Sequence, residues 1–142
     1  MNSYTIEDYQ DLIIEIADIE IEADSIAESR HLLKELDKRK LILLELRKVI
    51  AKEIRLIESE YLEQRKNIRE KYSQNNSSGI SNIFRGEPRK KRTTDMKKLN
   101  KTKKLHLEPY YDLKYQIDDL LEQIDYANLS LSNYIKESFK KY

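Results

Sequence analysis

Apolar residues in the first half of the chain recur at steps of three and four, as they do in amphipathic helices. Before position 25 the recurring positions are Tyr9, Leu12, Ile13, Ile16, Ile19 and Ala23. Further on, a seven-residue repeat places Leu36, Leu43, Ile50 and Ile57 on one seam, with Ile54, Tyr61 and Ile68 beside it. This pattern predicts one helix at about 5–23 and a second at about 26–72.

Two pairs of residues have the spacing of helix N-terminal capping boxes. Thr5 with Asp8, and Ser25 with Glu28, can each satisfy backbone N–H groups that a helix leaves unpaired at its start. We therefore expect a tight turn between Asp24 and Ser25. Because neither glycine nor proline occurs before position 72, the alternative is one unbroken helix over residues 5–72.

The last third of the chain carries its own heptad pattern, interrupted by Pro109. Its apolar positions are Tyr110, Leu113, Ile117, Leu120, Ile124, Ala127, Leu131 and Tyr134. Extended backwards, the seam runs through His106, Lys103, Leu99 and Met96. We predict a helix at about 93–140, in which Pro109 lies either in a first turn or at a kink.

Residues 73–92 separate the two long helical patterns. They contain both glycines of the chain, one of its two prolines and a run of serine and asparagine. We expect a flexible basic loop here, with Ile83 and Phe84 as an apolar island that anchors it; the alternative is that this island contacts a partner. Two helices of similar length joined by one loop predict an all-α fold. The expected fold is a single elongated domain over residues 1–142, built as a long antiparallel coiled-coil hairpin with a short third helix forming a three-helix bundle at one end.

The composition agrees with long helices and limits the chemistry. Charged residues make up 37% of the chain, whereas there are only 2 glycines and no cysteine. Disulfides and cysteine chemistry are therefore excluded. No stretch has the length of a membrane span, and the acidic N-terminus does not resemble a signal peptide. These features predict a cytoplasmic protein, or a nuclear one if the source is eukaryotic.

No known catalytic motif occurs in the chain, so we expect no enzyme activity, no cofactor and no metal. Glu28 and His31 form an E-x-x-H pair, but a di-iron bundle needs two such pairs and two further glutamates. The acidic residues Asp118, Asp119, Glu122 and Asp125 flank the seam, where solvated charges are usual. Among the ten tyrosines, Tyr110 suits a seam position, while Tyr111 and Tyr115 fit base stacking as well as packing.

Charge is sorted along the chain although the net charge is only +1. Residues 1–29 contain nine acidic residues and no lysine or arginine, while residues 87–104 contain nine basic residues and two acidic ones. The residues expected to contact a polyanion are Arg85, Arg89, Lys90, Lys91, Arg92, Lys97, Lys98 and Lys101. Clustered lysine and arginine bind phosphates without reading sequence.

Two functions are compatible with this charge pattern. The first is a non-catalytic helical module whose basic loop binds nucleic acid through its phosphates, without sequence specificity. The alternative is a coiled-coil scaffold or assembly subunit whose basic tip pairs with an acidic protein surface, including homo-oligomers formed through coiled-coil or acidic–basic contacts. In that alternative, lysines between positions 97 and 104 also pair in part with Glu58, Glu60, Glu63 and Glu70. Such exposed pairs contribute only about 0–1 kcal/mol each.

Overall fold

A computed structural model describes residues 4–74 and 86–140 of the chain, which form three α-helices and no strand. The helices are α1, Ile6–Ala17; α2, Ile26–Gln74; and α3, Gly86–Lys140. The predicted all-α class is confirmed.

The break between the first two helices lies where it was expected, but α1 ends six residues early. Residues 18–25 are non-helical, so the alternative of one continuous helix is wrong, and the link is longer than a tight turn. At this end of α1, Nη1 of Arg39 in α2 donates to the backbone oxygens of Ile16 (2.6 Å), Asp18 (3.2 Å) and Glu15 (3.3 Å), so these oxygens have a partner outside α1. A continuing helix would need two of these oxygens, those of Glu15 and Ile16, as acceptors for its next turn.

Both helix starts use the residues that the capping boxes indicated. At α1, Thr5 Oγ1 accepts from the Asp8 N–H and the Asp8 carboxylate accepts from the Thr5 N–H. At α2, Ser25 Oγ accepts from the Glu28 N–H at 3.1 Å. The Glu28 carboxylate accepts from the N–H of Asp24 at 2.8 Å, one residue earlier than in the standard box.

The predicted loop at 73–92 is too long at its C-terminal end. Helix α3 begins at Gly86, so the basic residues at 89–92 are helical, whereas a loop was expected there. A proline in a first turn removes no intrahelical hydrogen bond, and arginine and lysine are good helix formers. Ile83, Phe84 and Arg85 lie outside the described residues.

The chain divides into two compact units, of which the first comprises Met1–Ala51 and Tyr111–Tyr142. It is a helical bundle in which α1 contributes the buried side chains of Tyr9, Ile13 and Ile16. Its other buried apolar residues are Leu36, Leu43, Leu46, Ile50, Leu113, Ile117, Ile124, Ala127 and Leu131. Within this unit α2 and α3 run antiparallel, because Lys40 pairs with Asp125 and Arg47 with Asp118.

The second unit, Lys52–Tyr110, consists of the C-terminal part of α2 and the N-terminal part of α3. These segments also run antiparallel, since Tyr61 meets His106 and Tyr72 meets Asp95. The buried residues are Ile54, Ile57, Tyr61, Tyr72 and Leu107. In the backward extension of the α3 seam, His106 meets Tyr61 of α2 although it is exposed, and the buried apolar residue beside it is Leu107.

Candidate nucleic-acid interface

The basic residues expected to bind a polyanion lie along the first five turns of α3. Seven of the eight fall within the described side chains, and all seven are exposed: Arg89, Lys90, Lys91, Arg92, Lys97, Lys98 and Lys101. The eighth, Arg85, lies outside the described residues. The predicted residues thus form part of a rigid helix surface.

Helix geometry brings some of these residues together and separates others. At 100° per residue, Lys90, Lys97 and Lys101 fall within about 40° of one another around α3, and exposed Lys104 continues the line. We call these four residues the lysine row. Its ends are about 21 Å apart along the helix axis. Lys91 and Lys98, seven residues apart, form a parallel second row beside it.

Arg89 and Arg92 lie on other sides of the helix, so the structure does not gather all the predicted residues onto one face. Lys104 was missed as a site residue. Its signal in the sequence was the spacing of 7, 4 and 3 residues from Lys90 through Lys97 and Lys101, which keeps lysines on one helical face.

Asp95, which follows the basic residues 89–92, has a partner in the helix packed against α3. Its Oδ2 accepts a hydrogen bond of 2.6 Å from the hydroxyl of Tyr72, whose side chain is buried. This hydrogen bond, burial and the negative charge of Asp95 together raise the pKa of Tyr72 above its ordinary value. The carboxylate thus helps to hold α3 against α2 and forms no ion pair with the lysines around it.

The lysines of this segment also lack ion pairs with α2. The described side chains form four ion pairs, and all four belong to the unit of Met1–Ala51 and Tyr111–Tyr142. The expected pairing of lysines 97–104 with Glu60, Glu63 and Glu70 is therefore absent. The lysine row presents its charge to solvent.

A cluster of rings lies at the other end of the Lys52–Tyr110 unit. The hydroxyl of Tyr61 is 3.3 Å from Nδ1 of His106, and the His106 ring makes edge contacts with the rings of Tyr61 and Tyr110. Burial, and to a lesser degree the negative charge of Glu53, raise the pKa of Tyr110. Tyr110 therefore takes part in packing, as its seam position indicated.

The remaining tyrosines considered for base stacking differ in exposure. Tyr111 is half-buried and has contacts of its own, whereas the Tyr115 side chain is 66% exposed. Both belong to the unit that does not contain the lysine row.

The acidic residues of α3 that were expected to be solvated include two ion-pair partners. Asp125 lies 2.7 Å from the Lys40 ammonium, and Asp118 lies 3.1 Å from the Arg47 guanidinium. In the sequence alone, Lys40 and Arg47 are basic residues that interrupt the apolar seam of α2. Their partners, 85 and 71 residues away, become evident only when the register of α2 against α3 is known.

The two units have opposite charge. Counted over the sequence, Met1–Ala51 with Tyr111–Tyr142 carries −7, and Lys52–Tyr110 carries +8. The lysine row therefore lies on a unit whose own charge attracts anions.

Within the described residues, no group of three or more histidine or acidic side chains could hold a metal ion. None of the described helices is apolar over enough of its length to cross a membrane.

No protein-family model, curated protein or solved structure matches the chain.

Proposed function

We propose that this protein is a non-catalytic helical module that binds nucleic acid through the N-terminal part of α3. The observation that carries the proposal is the lysine row of Lys90, Lys97, Lys101 and Lys104, which is exposed, lies on one side of a helix and has no ion pair among the described residues. Ammonium groups in such a line bind phosphates and release counterions.

The chemistry of the row supports recognition of the phosphate backbone. Lysine provides a point charge on a flexible stem and lacks the planar fork with which arginine reads a guanine. A row about 21 Å long extends along several phosphates of a nucleic-acid strand, which carry one charge per about 3.4 Å of duplex axis. We therefore expect similar affinity for different sequences.

The basic residues at 89–92, in the first turns of α3, also contribute to nucleic-acid binding. The N-terminus of a helix carries about half a positive charge, which adds to the field of the basic side chains there. Lys91 and Lys98 extend the charged surface on one side of the lysine row. Arg85 is included in the proposed interface on its sequence position alone.

We further propose that α2 and α3 pair as an antiparallel coiled coil in each unit, which gives the lysine row a stiff support. In the first unit, Leu36, Leu43 and Ile50 of α2 lie at seven-residue spacing and are fully buried. In the unit that carries the lysine row, Ile54 and Tyr61 of α2 lie seven residues apart and are also buried. Knobs-into-holes packing at these positions is the geometry that such a pairing requires.

The test is salt-dependent binding to a fluorescent 20-base-pair DNA duplex, an RNA duplex and a single strand, measured by anisotropy. Replacing the four lysines of the row by glutamine removes up to four phosphate contacts, each contributing about 0.9 to the slope of log K against log salt on B-DNA. A full loss lowers the slope by about 3.6, and it weakens binding at low salt for every sequence alike.

A matched control removes the same charge from the other unit, with Lys34, Lys38, Lys48 and Lys136 replaced by glutamine. These residues are exposed, and only Lys48 has an ion pair, a solvent-exposed one with Glu45. The control should keep most of the slope. Equal effects of the two variants would show that binding follows net charge and not the lysine row.

A second variant replaces all four residues at 89–92 by alanine. It should leave α3 intact, since alanine is the best helix former and removing positive charge from a helix N-terminus is favourable. Its nucleic-acid affinity should fall and its salt slope should decrease. If the unaltered protein shows no salt-sensitive binding at low ionic strength, the proposal fails.

The second candidate function is assembly through an acidic protein surface. The observation in its favour is the charge of −7 on the unit formed by Met1–Ala51 and Tyr111–Tyr142. A partner with similar acidic character, or another copy of this chain, offers carboxylates to the same lysines.

A further inference from the structure

The N-terminal region of the chain has many carboxylates that face solvent without a cationic partner. All nine acidic residues of positions 1–29 are exposed, and none forms an ion pair in the described part of the chain. Two of them, Asp8 and Glu28, accept backbone hydrogen bonds at helix starts. The other seven leave this part of the chain with an uncompensated negative charge.

An apolar groove lies beside this acidic region, within the same unit. Its volume is about 740 Å³, and its lining includes Ile21 from the link between α1 and α2, and Tyr126 and Ala127 from α3. The Tyr126 side chain is 74% exposed and that of Ile21 is 46% exposed. Exposed apolar side chains that border a groove can contact an apolar side chain of another protein.

Carboxylates border the groove. Asp119 and Glu122 line it from α3, three residues apart and on the same helical face as Tyr126. Glu20 and Glu22 flank Ile21 in sequence and are exposed. The groove thus combines apolar lining residues with two lining carboxylates, and two further carboxylates lie next to Ile21 in sequence. This combination suits an apolar side chain accompanied by lysines.

The chain itself carries such a surface on α3. Leu105 is 62% exposed, and it lies four residues after Lys101 and seven after Lys98, on the same side of the helix as both. Lys97 and Lys104 lie about 80° and 100° away from Leu105 around the helix, at the edge of this surface. The apolar Leu105 side chain matches the apolar lining of the groove, and the positive charge of the lysines near it is opposite to that of the groove carboxylates.

We propose that the acidic groove binds the Leu105 surface of a second copy of this chain. Leu105 contacts Ile21 and Tyr126 of the other copy, while Lys97, Lys98, Lys101 and Lys104 approach the four carboxylates. The contact joins different surfaces of the two copies, so each dimer keeps one free groove and one free lysine surface. Association then continues beyond the dimer unless a ring closes.

The inference uses part of the same lysine surface as the proposed function, and therefore predicts competition. A DNA duplex that covers Lys97, Lys101 and Lys104 removes them from the groove, so nucleic acid should dissociate the assembly. Both interactions weaken as salt increases, since both depend on exposed charges.

Two variants test the groove and the lysine surface individually. The groove variant carries Glu20→Gln, Glu22→Gln, Asp119→Asn and Glu122→Gln, and the lysine-surface variant carries glutamine at positions 97, 98, 101 and 104. All eight positions are outside the buried core, and circular dichroism checks that both variants fold. Sedimentation velocity at low salt, over a range of protein concentrations, measures self-association of each.

The unaltered protein should associate beyond the dimer or as a closed ring, and each variant alone should do so roughly 30-fold more weakly. An equimolar mixture of the two variants should form a 1:1 dimer and nothing larger. The groove of the lysine-surface variant is intact and binds the intact lysine surface of the groove variant. The two surfaces that remain free in this dimer are both substituted, so nothing further can bind. A control with Glu7, Asp11 and Glu15 neutralised should associate like the unaltered chain.

Three results would overturn the inference: an unaltered protein that stays monomeric at low salt, variants that associate as it does, or a mixture without the 1:1 dimer. The proposed function is judged separately, because the groove variant should bind DNA at least as tightly as the unaltered protein while it loses self-association. If the unaltered protein self-associates but does not bind DNA, the proposed function is contradicted and the inference about self-association is not.

Discussion

Arg39→Ala is the change that best tests the structure of the N-terminal bundle. The Arg39 guanidinium binds three backbone oxygens at the end of α1 and, through Nε, the Glu35 carboxylate at 3.2 Å. Alanine leaves these oxygens without their donor and also removes the long side chain that packs beside the end of α1.

The expected loss follows from the geometry of each hydrogen bond. The bond to Ile16 O is the shortest, at 2.6 Å, and is partly buried, while those to Glu15 O and Asp18 O are exposed and longer than 3.1 Å. Water can replace the donor at the two exposed oxygens, so most of the loss comes from the bond to Ile16. A hydrogen bond to a charged group contributes about 1.5–3 kcal/mol, and we expect a total of about 2 kcal/mol.

Thermal and urea unfolding measure the loss, which should lower Tm by roughly 4–8 °C for a chain of this size. Hydrogen exchange then locates it, because the amides of α1 should exchange faster than those of α2. Arg39→Lys keeps the charge but not the planar fork, so it should fall between alanine and the unaltered protein.

Lys48→Ala is the matched control on the same helix. The Lys48 side chain is 77% exposed and pairs only with Glu45, so its removal should change stability by less than about 0.5 kcal/mol. If Arg39→Ala is no more destabilising than Lys48→Ala, Arg39 does not hold the end of α1 in solution.

Three further substitutions test other parts of the fold. Ile50→Asp puts a charge at a fully buried position, so the helical signal in circular dichroism should melt far below that of Ile50→Val; equal melting would contradict the register of α2. Ser25→Ala removes the acceptor for the Glu28 N–H and should cost about 1 kcal/mol in urea unfolding, and no change would show that the start of α2 does not depend on this cap. Because the pKa of Tyr72 is raised in the folded protein, the tyrosine ionises at lower pH in the unfolded chain than in the folded one. The stability that this hydroxyl contributes should therefore be fully present below pH 10.0 and decrease as the pH rises above it. Tyr72→Phe should show a smaller fall over the same pH range, and an unchanged pH profile would argue against the bond to Asp95.

Local patterns predicted much of the helical structure, and the errors came from long-range contacts. The burial of Leu36, Leu43 and Ile50 follows from their seven-residue spacing, and Thr5 caps α1 as its sequence context indicates. The early end of α1 was not predicted, and the partner of its last carbonyl oxygens is Arg39, more than twenty residues away in sequence, which local patterns do not reveal.

The candidate site was predicted in composition but not in arrangement. Gly86 was interpreted as part of a loop, whereas it begins α3, since glycine and proline near a helix start are compatible with a helix. Once residues 89–104 are helical, their spacing determines which lysines share a face. The role of Asp95 required knowledge of its neighbour Tyr72, because the sequence alone offered nearby lysines as equally good partners.

The opposite charges of the two units have a consequence for how the protein responds to salt. A net charge of +1 suggests little electrostatic repulsion within the protein. The units nevertheless carry −7 and +8, so like charges repel one another within each unit. Moderate salt screens this repulsion within a unit, and it also weakens the ion pairs of Lys40 and Arg47, which belong to the acidic unit. The described lysines of the lysine row, in the basic unit, form no such pairs, so added salt should stabilise the basic unit more than the acidic one.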